Sequence, residues 1–573
     1  MKNLARIAAA ALVTAVLLPG SYAQQSTQNS QQQPQQRSTE IPKLSENIDV
    51  RVINVDVVVT DKKGNVITGL KKDDFEIYEN GVPKPISNFY AVEGGRPMET
   101  EPLPTQQATT TDVTPKREEV PDNMKRRIII YVDNLSMAPF NRNRVFTAMK
   151  EFVKSTMRPG DEAMIATFNR SMKVRVPFTR DPIQIEQMLD AIAGESAMGT
   201  TNTSERKSAQ DRIKDSNDYD EAVATARSYA QSVEHDLRQS AESLNGLMTT
   251  LAGVEGKKIL VLASEGFPMQ PGRELFQYID EVANEKGWRF SGTILEGMSF
   301  DSTSVIQSVA RTANANGITM YTVHAAGLSG GSEMSAENAS PTPVSVSQAL
   351  ISNTTDSMRL MADMTGGLAS IQTNNFAQAF RNIQHDLDSY YSLGYRASTE
   401  RVDRQRSLTV KMKNRNYIAR ARQTFVEKST YAEMNDKVIA NLLYKTKQND
   451  LKILVRTGSP TAADEDLYKV PLDIQIPMDS LTLLPQGENE YVGGFDVYVA
   501  VANKDGDMSD VSRKSHTLRV PAPDMERAKG KYYTYSVDLL MEKGLNKISV
   551  GGVDNVSNVN GFAREQIIAQ DLR

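Results

Sequence analysis

The chain has 573 residues, too many for one ordinary core, and with 39% hydrophobic and 24% charged residues it suits a folded protein of roughly three or four domains. A formal net charge of -5 without a long basic run implies neither a nucleic-acid groove nor an affinity for anionic membrane surfaces. The absence of cysteine excludes disulfides, thiolate metal sites, thiol catalysis and a lipid-bearing cysteine.

Lys2 and Arg6 precede an apolar stretch over 7–18, then Pro19, Gly20 and a small-x-small pattern at Ser21 and Ala23. This reads as a signal peptide over residues 1–23, which implies an extracytoplasmic protein, periplasmic or secreted. No later segment approaches ~20 apolar residues, so no transmembrane anchor is expected. Residues 24–47 begin with a glutamine-rich, aromatic-free tract and are expected to be disordered.

From 48 to 93 the pattern is that of a small β module. Val50, Val52, Val55, Val57 and Val59 alternate with mostly polar residues, and further strands are expected at 73–78 and 86–92, with Asn80-Gly81 as a turn. Residues 94–125 are rich in Pro, Thr and Glu and read as a linker. Strands and helices then alternate over 126–396: strands at 128–132, 162–168, 259–262, 318–323 and 390–395, helices at 142–157, 182–193, 274–285, 305–314 and 376–387. That alternation predicts an α/β domain whose mainly parallel sheet is covered on both faces. The polar stretch 205–253 carries Ala222, Ala226, Ala230, Leu237, Leu244 and Leu251 at helical spacing. It reads as a solvated helical hairpin, or as a lid or partner surface. Strands over 397–427 are expected to pack with the N-terminal module, and the alternating tail at 428–573 predicts a β-sandwich.

Two buried-strand candidates deliver an acid at their C-terminal ends, Asp133 in RRIIIYVDNLS and Glu265 in KKILVLASEGFP. In an open α/β sheet that edge is where ligands and metal ions bind. The residues taken alone also allow a plainer role, Asp133 capping a turn and Glu265 opening a loop. Asp505-Gly506-Asp507 with Asp510 lacks the spaced carboxylates of a calcium loop and reads as a hairpin turn. For an enzyme, Ser264 follows a strand but lacks the flanking glycines of a nucleophile turn, and His324 is the best-placed base among four histidines, none in a metal-binding motif.

Three strings, VVVTDKKGNVITGLKKDDFEIYENG at 57–81, GKKILVLASEGFP at 256–268 and YYSLGYR at 390–396, together carry a resemblance. The central region resembles the von Willebrand factor type A fold and, more narrowly, the VWFA-related proteins abundant in Acidobacteria, over about residues 48–425; the tail lies outside it. The resemblance implies a doubly wound, von Willebrand A-like domain, which with the patterned strands on either side gives an expected α/β fold with flanking β-sandwich modules. It further implies recognition of a macromolecule, often through a divalent cation held by Asp-x-Ser-x-Ser, a loop threonine and a later aspartate. Asp133 matches the first position, Leu135 and Met137 occupy both serine positions, Thr201 matches the threonine, and Glu265 stands at the aspartate. Asp133, Ser136, Thr201 and Glu265 are thus the expected ligands of a degenerate site for Mg2+, or else Mn2+ or Ca2+. The expected function is non-enzymatic binding of a protein or cell-surface polymer, or alternatively a metal-independent scaffold or a hydrolase.

Overall fold

A computed structural model describes residues 52–98, 125–289, 292–328, 344–397, 402–444, 446, 448–464 and 466–570. The signal peptide, the glutamine-rich segment and all but the two ends of the 94–125 linker lie outside the described residues. The fold is mixed α/β, with one largely parallel sheet and four antiparallel sheets, in two compact units that divide between Ser429 and Thr430.

In the first unit, strand β1 (Val52–Asp61) places Val55, Val57 and Val59 on one buried face, as period-2 alternation requires. Strands β2 (Phe75–Glu79), β3 (Val82–Lys84), β4 (Ile86–Glu93) and β5 (Arg96–Met98) follow. Asn80 and Gly81 both adopt positive φ in the tight β2–β3 turn. These strands do not close by themselves. They combine with β12 (Tyr390–Arg396), β13 (Gln405–Met412), β14 (Tyr417–Arg420) and β15 (Thr424–Val426) into two sheets of order β14-β1-β12-β4-β5 and β15-β13-β2-β3. Between them lies a core that includes Val57, Ile77, Leu393, Tyr395 and Phe425. Arg406, almost wholly buried, bridges Glu79 at 2.9 Å and Glu427 at 2.8 Å.

The intervening chain builds a six-stranded sheet from β6 (Arg126–Asp133), β7 (Glu162–Phe168), β8 (Met172–Thr179), β9 (Lys257–Ser264), β10 (Ile318–His324) and β11 (Ala369–Ser370). Its order is β11-β10-β9-β6-β7-β8, and only β8 runs antiparallel. The unbroken apolar run of β6 is what a central strand needs when both faces are covered. Ile128, Ile130 and Val132 pack with α1 (Pro139–Thr156), α2 (Pro182–Ala193) and the later helix α9 (Phe376–Asp388). Thr322, between the inward Tyr321 and Val323, turns the opposite way and donates to Met358 O on α8 (Val344–Thr365). Asp181 starts α2 by accepting from Ile183 N.

The polar stretch forms α3 (Gly199–Asp215) and α4 (Tyr219–Thr250), the latter capped by Asp218. It is not a solvated hairpin. Ile213, Ala222, Ala226 and Ala230 build a separate core with Leu275, Phe276 and Ile279 of α5 (Arg273–Lys286), which precedes α6 (Thr293–Met298) and α7 (Thr303–Ala315). The alanine stripe permits this close approach: a Cβ on Gly272 would stand 2.7 Å from the Ala230 methyl.

The second unit is a sandwich of two antiparallel sheets. One holds β16 (Leu454–Thr457), β17 (Thr461–Ala462), β18 (Leu467–Pro477) and β22 (Tyr532–Glu542). The other holds β19 (Leu484–Gln486), β20 (Glu490–Ala502), β21 (Ser512–Pro521), β23 (Gly544–Asp554) and β24 (Asn560–Ala569). Val470, Leu472 and Ile474 face Phe495, Val497 and Ile548 across the core. Helix α10 (Thr430–Tyr444), absent from the all-β expectation, covers the far side of the second sheet through Met434, Val438 and Leu442. Gly551 makes room for it, since a Cβ there would lie 2.6 Å from Val438.

Candidate ligand-binding rim

Strands β6 and β9 are neighbours in the parallel sheet, so their C-terminal ends bring Asp133, Ser264 and Glu265 to one edge. Asp133 is 1% exposed, and its carboxylate is met from three sides. Oδ1 accepts from the backbone N–H groups of Leu135 at 3.2 Å and Ser136 at 3.3 Å, and Oδ2 accepts from the Ser264 hydroxyl at 2.8 Å. The Ser136 and Ser264 hydroxyls lie 2.9 Å apart, and the Ser136 side chain also hydrogen-bonds to the Asp133 carboxylate. Ser136 Oγ in turn accepts from Glu265 N at 3.0 Å, and Ser264 Oγ from Gly266 N at 3.0 Å. Glu265 reaches back to the start of α1, its Oε1 accepting from Ala138 N at 2.7 Å and Asn141 Nδ2 at 2.9 Å.

Burial pushes the carboxyl of Asp133 above the usual range, against the opposing pull of its serine and backbone donors. Glu265 is raised for the same reason, again with its Asn141 and Ala138 bonds opposing. The whole edge is braced by Arg142, which is fully buried. Its guanidinium donates to Asn134 Oδ1 at 3.1 Å and to the carbonyls of Ala193 and Glu195 at 2.9 Å each.

Of the four expected ligands, the structure brings Asp133, Ser136 and Glu265 into this one network. Thr201 departs from expectation. It lies in the first turn of α3 rather than in a loop, is exposed, and makes no hydrogen bond to the two acids. The neighbouring Asn202 does the joining, donating to Leu135 O at 2.8 Å, while Met198 N and Gly199 N bond to Asn134 O and Met137 O. Gly199 is required there: a Cβ would come within 2.3 Å of Met137 C and Ala138 N. Ser264, Asn141 and Asn202 are the cluster members not anticipated as such. Only Ser264 carried a signal, its place immediately before Glu265 at a strand end.

The donor set fits a hydrogen-bonded latch better than a cation shell. A hard divalent ion wants several oxygen ligands at short, near-octahedral distances. Here Leu135 and Met137 are buried apolar side chains where hydroxyls would serve, Thr201 is an exposed residue of α3, and both oxygens of Asp133 and one of Glu265 already accept protons. No group of three or more His, Asp or Glu with metal-binding geometry occurs among the described residues. The Asp505 region is a turn in which Asn503 Oδ1 accepts from Asp505 N and Asp507 N.

His324 ends β10 directly opposite Ser264. It is 3% exposed, burial drives its pKa down to about 4, and its Nδ1 has no partner. Ser264 itself is fully buried, and no hydrogen bond joins it to His324.

Outside this latch the rim presents apolar surface. Phe140, at the start of α1, is 74% exposed, and Leu328, just beyond β10, is 58% exposed. Arg144 lies over the Phe140 ring and donates to Asn374 Oδ1 at 2.7 Å, which also accepts from Leu328 N at 3.1 Å.

No protein-family model and no curated protein matches the chain. Solved structures similar to it include von Willebrand A-type domains at low identity. An aerotolerance-related membrane protein from Bacteroides fragilis is 10% identical with a TM-score of 0.22, over 46% of this chain and 98% of that one. BatB from Bacteroides thetaiotaomicron is 9% identical with a TM-score of 0.21, over 46% and 97%. A von Willebrand factor type A protein from Catenulispora acidiphila is 8% identical with a TM-score of 0.23, over 78% and 66%. Likeness at this level establishes neither a family nor a function.

Proposed function

We propose that this chain is an exported, non-enzymatic binding protein. Its α/β region is a doubly wound, von Willebrand A-like domain that recognises a protein or surface-polymer ligand at the rim around Phe140, and it does so without a metal ion. The observation that carries the reading is the exposed Phe140–Leu328 patch, tied together by Arg144 and Asn374 on the edge where open α/β sheets bind ligands. The latch of Asp133, Ser136, Ser264 and Glu265 takes the place of a cation by holding the same loops with hydrogen bonds. A hydrolase is disfavoured by the full burial of Ser264 and the spent proton of its hydroxyl. Among the described residues no helix is long and apolar enough to cross a membrane. The signal-peptide pattern supports export.

Two measurements test this reading. Proximity labelling in the native host should mark a reproducible set of neighbours that Phe140→Ala with Leu328→Ala removes, while the variant melts at the wild-type temperature; an unchanged set refutes the binding rim. Thermal unfolding with millimolar Mg2+, Mn2+ or Ca2+ should show no shift, because any ion bound selectively by the native state must stabilise it. A clear rise would return the site to cation-dependent recognition.

A further inference from the structure

Strand β22 is a long sheet edge. Among the described residues its backbone pairs with β18 alone, through eleven consecutive partners from Leu467↔Glu542 to Pro477↔Tyr532 with no register shift. In an antiparallel strand alternate residues aim their N–H and C=O groups to opposite sides, so about half of those on β22 point away from the sheet. Such an edge is a template for another strand, and proteins blunt it with short length, proline, basic side chains or bulges.

Other edge strands among the described residues are blunted. Strands β3, β5 and β19 have three residues with a proline in each, and β11, β14, β15, β16 and β17 have four or fewer. Strand β8 carries Lys173, Arg175 and Pro177 and breaks register against β7. Strand β21 carries Arg513, Lys514 and Arg519 and ends at Pro521, and β24 has Arg564 and Glu565 near its centre. Strand β22 reads YYTYSVDLLME: it carries Asp538 and Glu542 but is eleven residues long with no proline, glycine, lysine, arginine or register shift, and it leaves Tyr532 and Leu540 exposed.

We propose that β22 is a dimerisation strand that pairs antiparallel with β22 of a second copy, centred on Val537. The charge pattern of the strand selects this occupant. About that centre Asp538, which pairs with Lys469 of its own copy at 2.8 Å, faces Ser536 of the other copy, and Glu542 faces Tyr532, so no like charges stand opposite. Sliding the centre to Asp538 would set that carboxylate against its own twin. The side chains facing the sandwich core, Tyr533, Tyr535, Val537, Leu539 and Met541, keep their inward side in the pairing. The contact is the same patch on both copies, so it closes as a two-fold dimer. It is independent of the rim and of what the rim binds.

The absence of native cysteine makes the register directly testable in the full chain. Val537→Cys should cross-link quantitatively into a dimer under mild oxidation, because directly opposed residues of an antiparallel pair have Cα atoms about 4.5–5.5 Å apart, within disulfide reach. Thr534→Cys should not, since it faces Leu540 and its twin lies six residues away, roughly 20 Å along the strand. Light scattering of the wild type should show a dimer at micromolar concentration, with exchange of the β22 amides slowing as concentration rises. That exchange measurement needs no substitution, so it stands even where a variant folds poorly. A monomer throughout, or cross-linking no better for Val537→Cys than for Thr534→Cys, overturns the proposal.

Discussion

The hydroxyl of Ser264 donates to Asp133 Oδ2 at 2.8 Å across the seam between β9 and β6. Both groups are essentially without solvent, so the acid depends on protein donors for all of its solvation. Ser264→Ala therefore removes one of the buried carboxylate's donors and the acceptor of the Gly266 N–H. The expected loss is about 1–3 kcal/mol of stability, read by denaturant unfolding. A loss below a few tenths would mean that water replaces the hydroxyl and that the latch is not closed.

His324 should make stability pH-dependent. Its folded value of about 4 lies below the ordinary 6.5, so between these the unfolded chain binds more protons, and stability falls as pH drops from 6.5 towards 4. Asp133 and Glu265, both raised by burial, act in the opposite sense, since the folded chain keeps their protons longer and stability declines as pH rises above their ordinary 3.8 and 4.5. The comparison must therefore be with His324→Gln across the same range. Between pH 7 and 4 the wild type should lose about 3 kcal/mol more than the variant. Parallel curves would show that the imidazole is hydrated.

Arg406 neutralises two buried acids contributed by chain segments on either side of the α/β region, Glu79 and Glu427. Arg406→Met removes the guanidinium from both acids, leaving Lys84 at 3.8 Å as a cation beside Glu79. We expect about 3–5 kcal/mol of destabilisation, with Arg406→Lys recovering only part of it because an ammonium does not reproduce the guanidinium fork. Equal stability of wild type and Arg406→Met in urea would contradict the bridge.

The helical insertion has a built-in reporter in Trp288, the single tryptophan, which packs against the α3–α4–α5 core. Gly272 has φ +75°, and a Cβ there meets Ala230. Gly272→Ala should loosen α4 from α5 by about 1–3 kcal/mol and shift Trp288 emission to the red, well below the main unfolding transition. Unchanged emission would show that the hairpin is held elsewhere.

Much of the secondary structure was legible because its signals are local. The apolar run of 128–132 sits inside the buried strand Arg126–Asp133, and the alternating valines of 55–59 line one face of β1. Helix α10 shows the limit of such reading: Met434, Val438 and Leu442 do recur every four residues, yet the strong alternation around them favoured an all-β tail. The hairpin's burial is hard to see in sequence because much of the stripe that meets α5 is alanine, which hydropathy barely distinguishes from surface.

The rim divides along the same line. Placing an acid at the end of each of two buried strands is a property of the chain alone, and it sufficed to put Asp133 and Glu265 at one edge. Whether Thr201 joined them depended on where α3 begins, which is set by Gly199 wedged against Met137 and Ala138, a contact between residues about sixty apart. The burial that lifts both carboxyls and the closing of Ser136 onto Ser264 likewise arise only when distant segments pack, because hydrogen bonds and desolvation act over a few ångströms of space and not along the sequence.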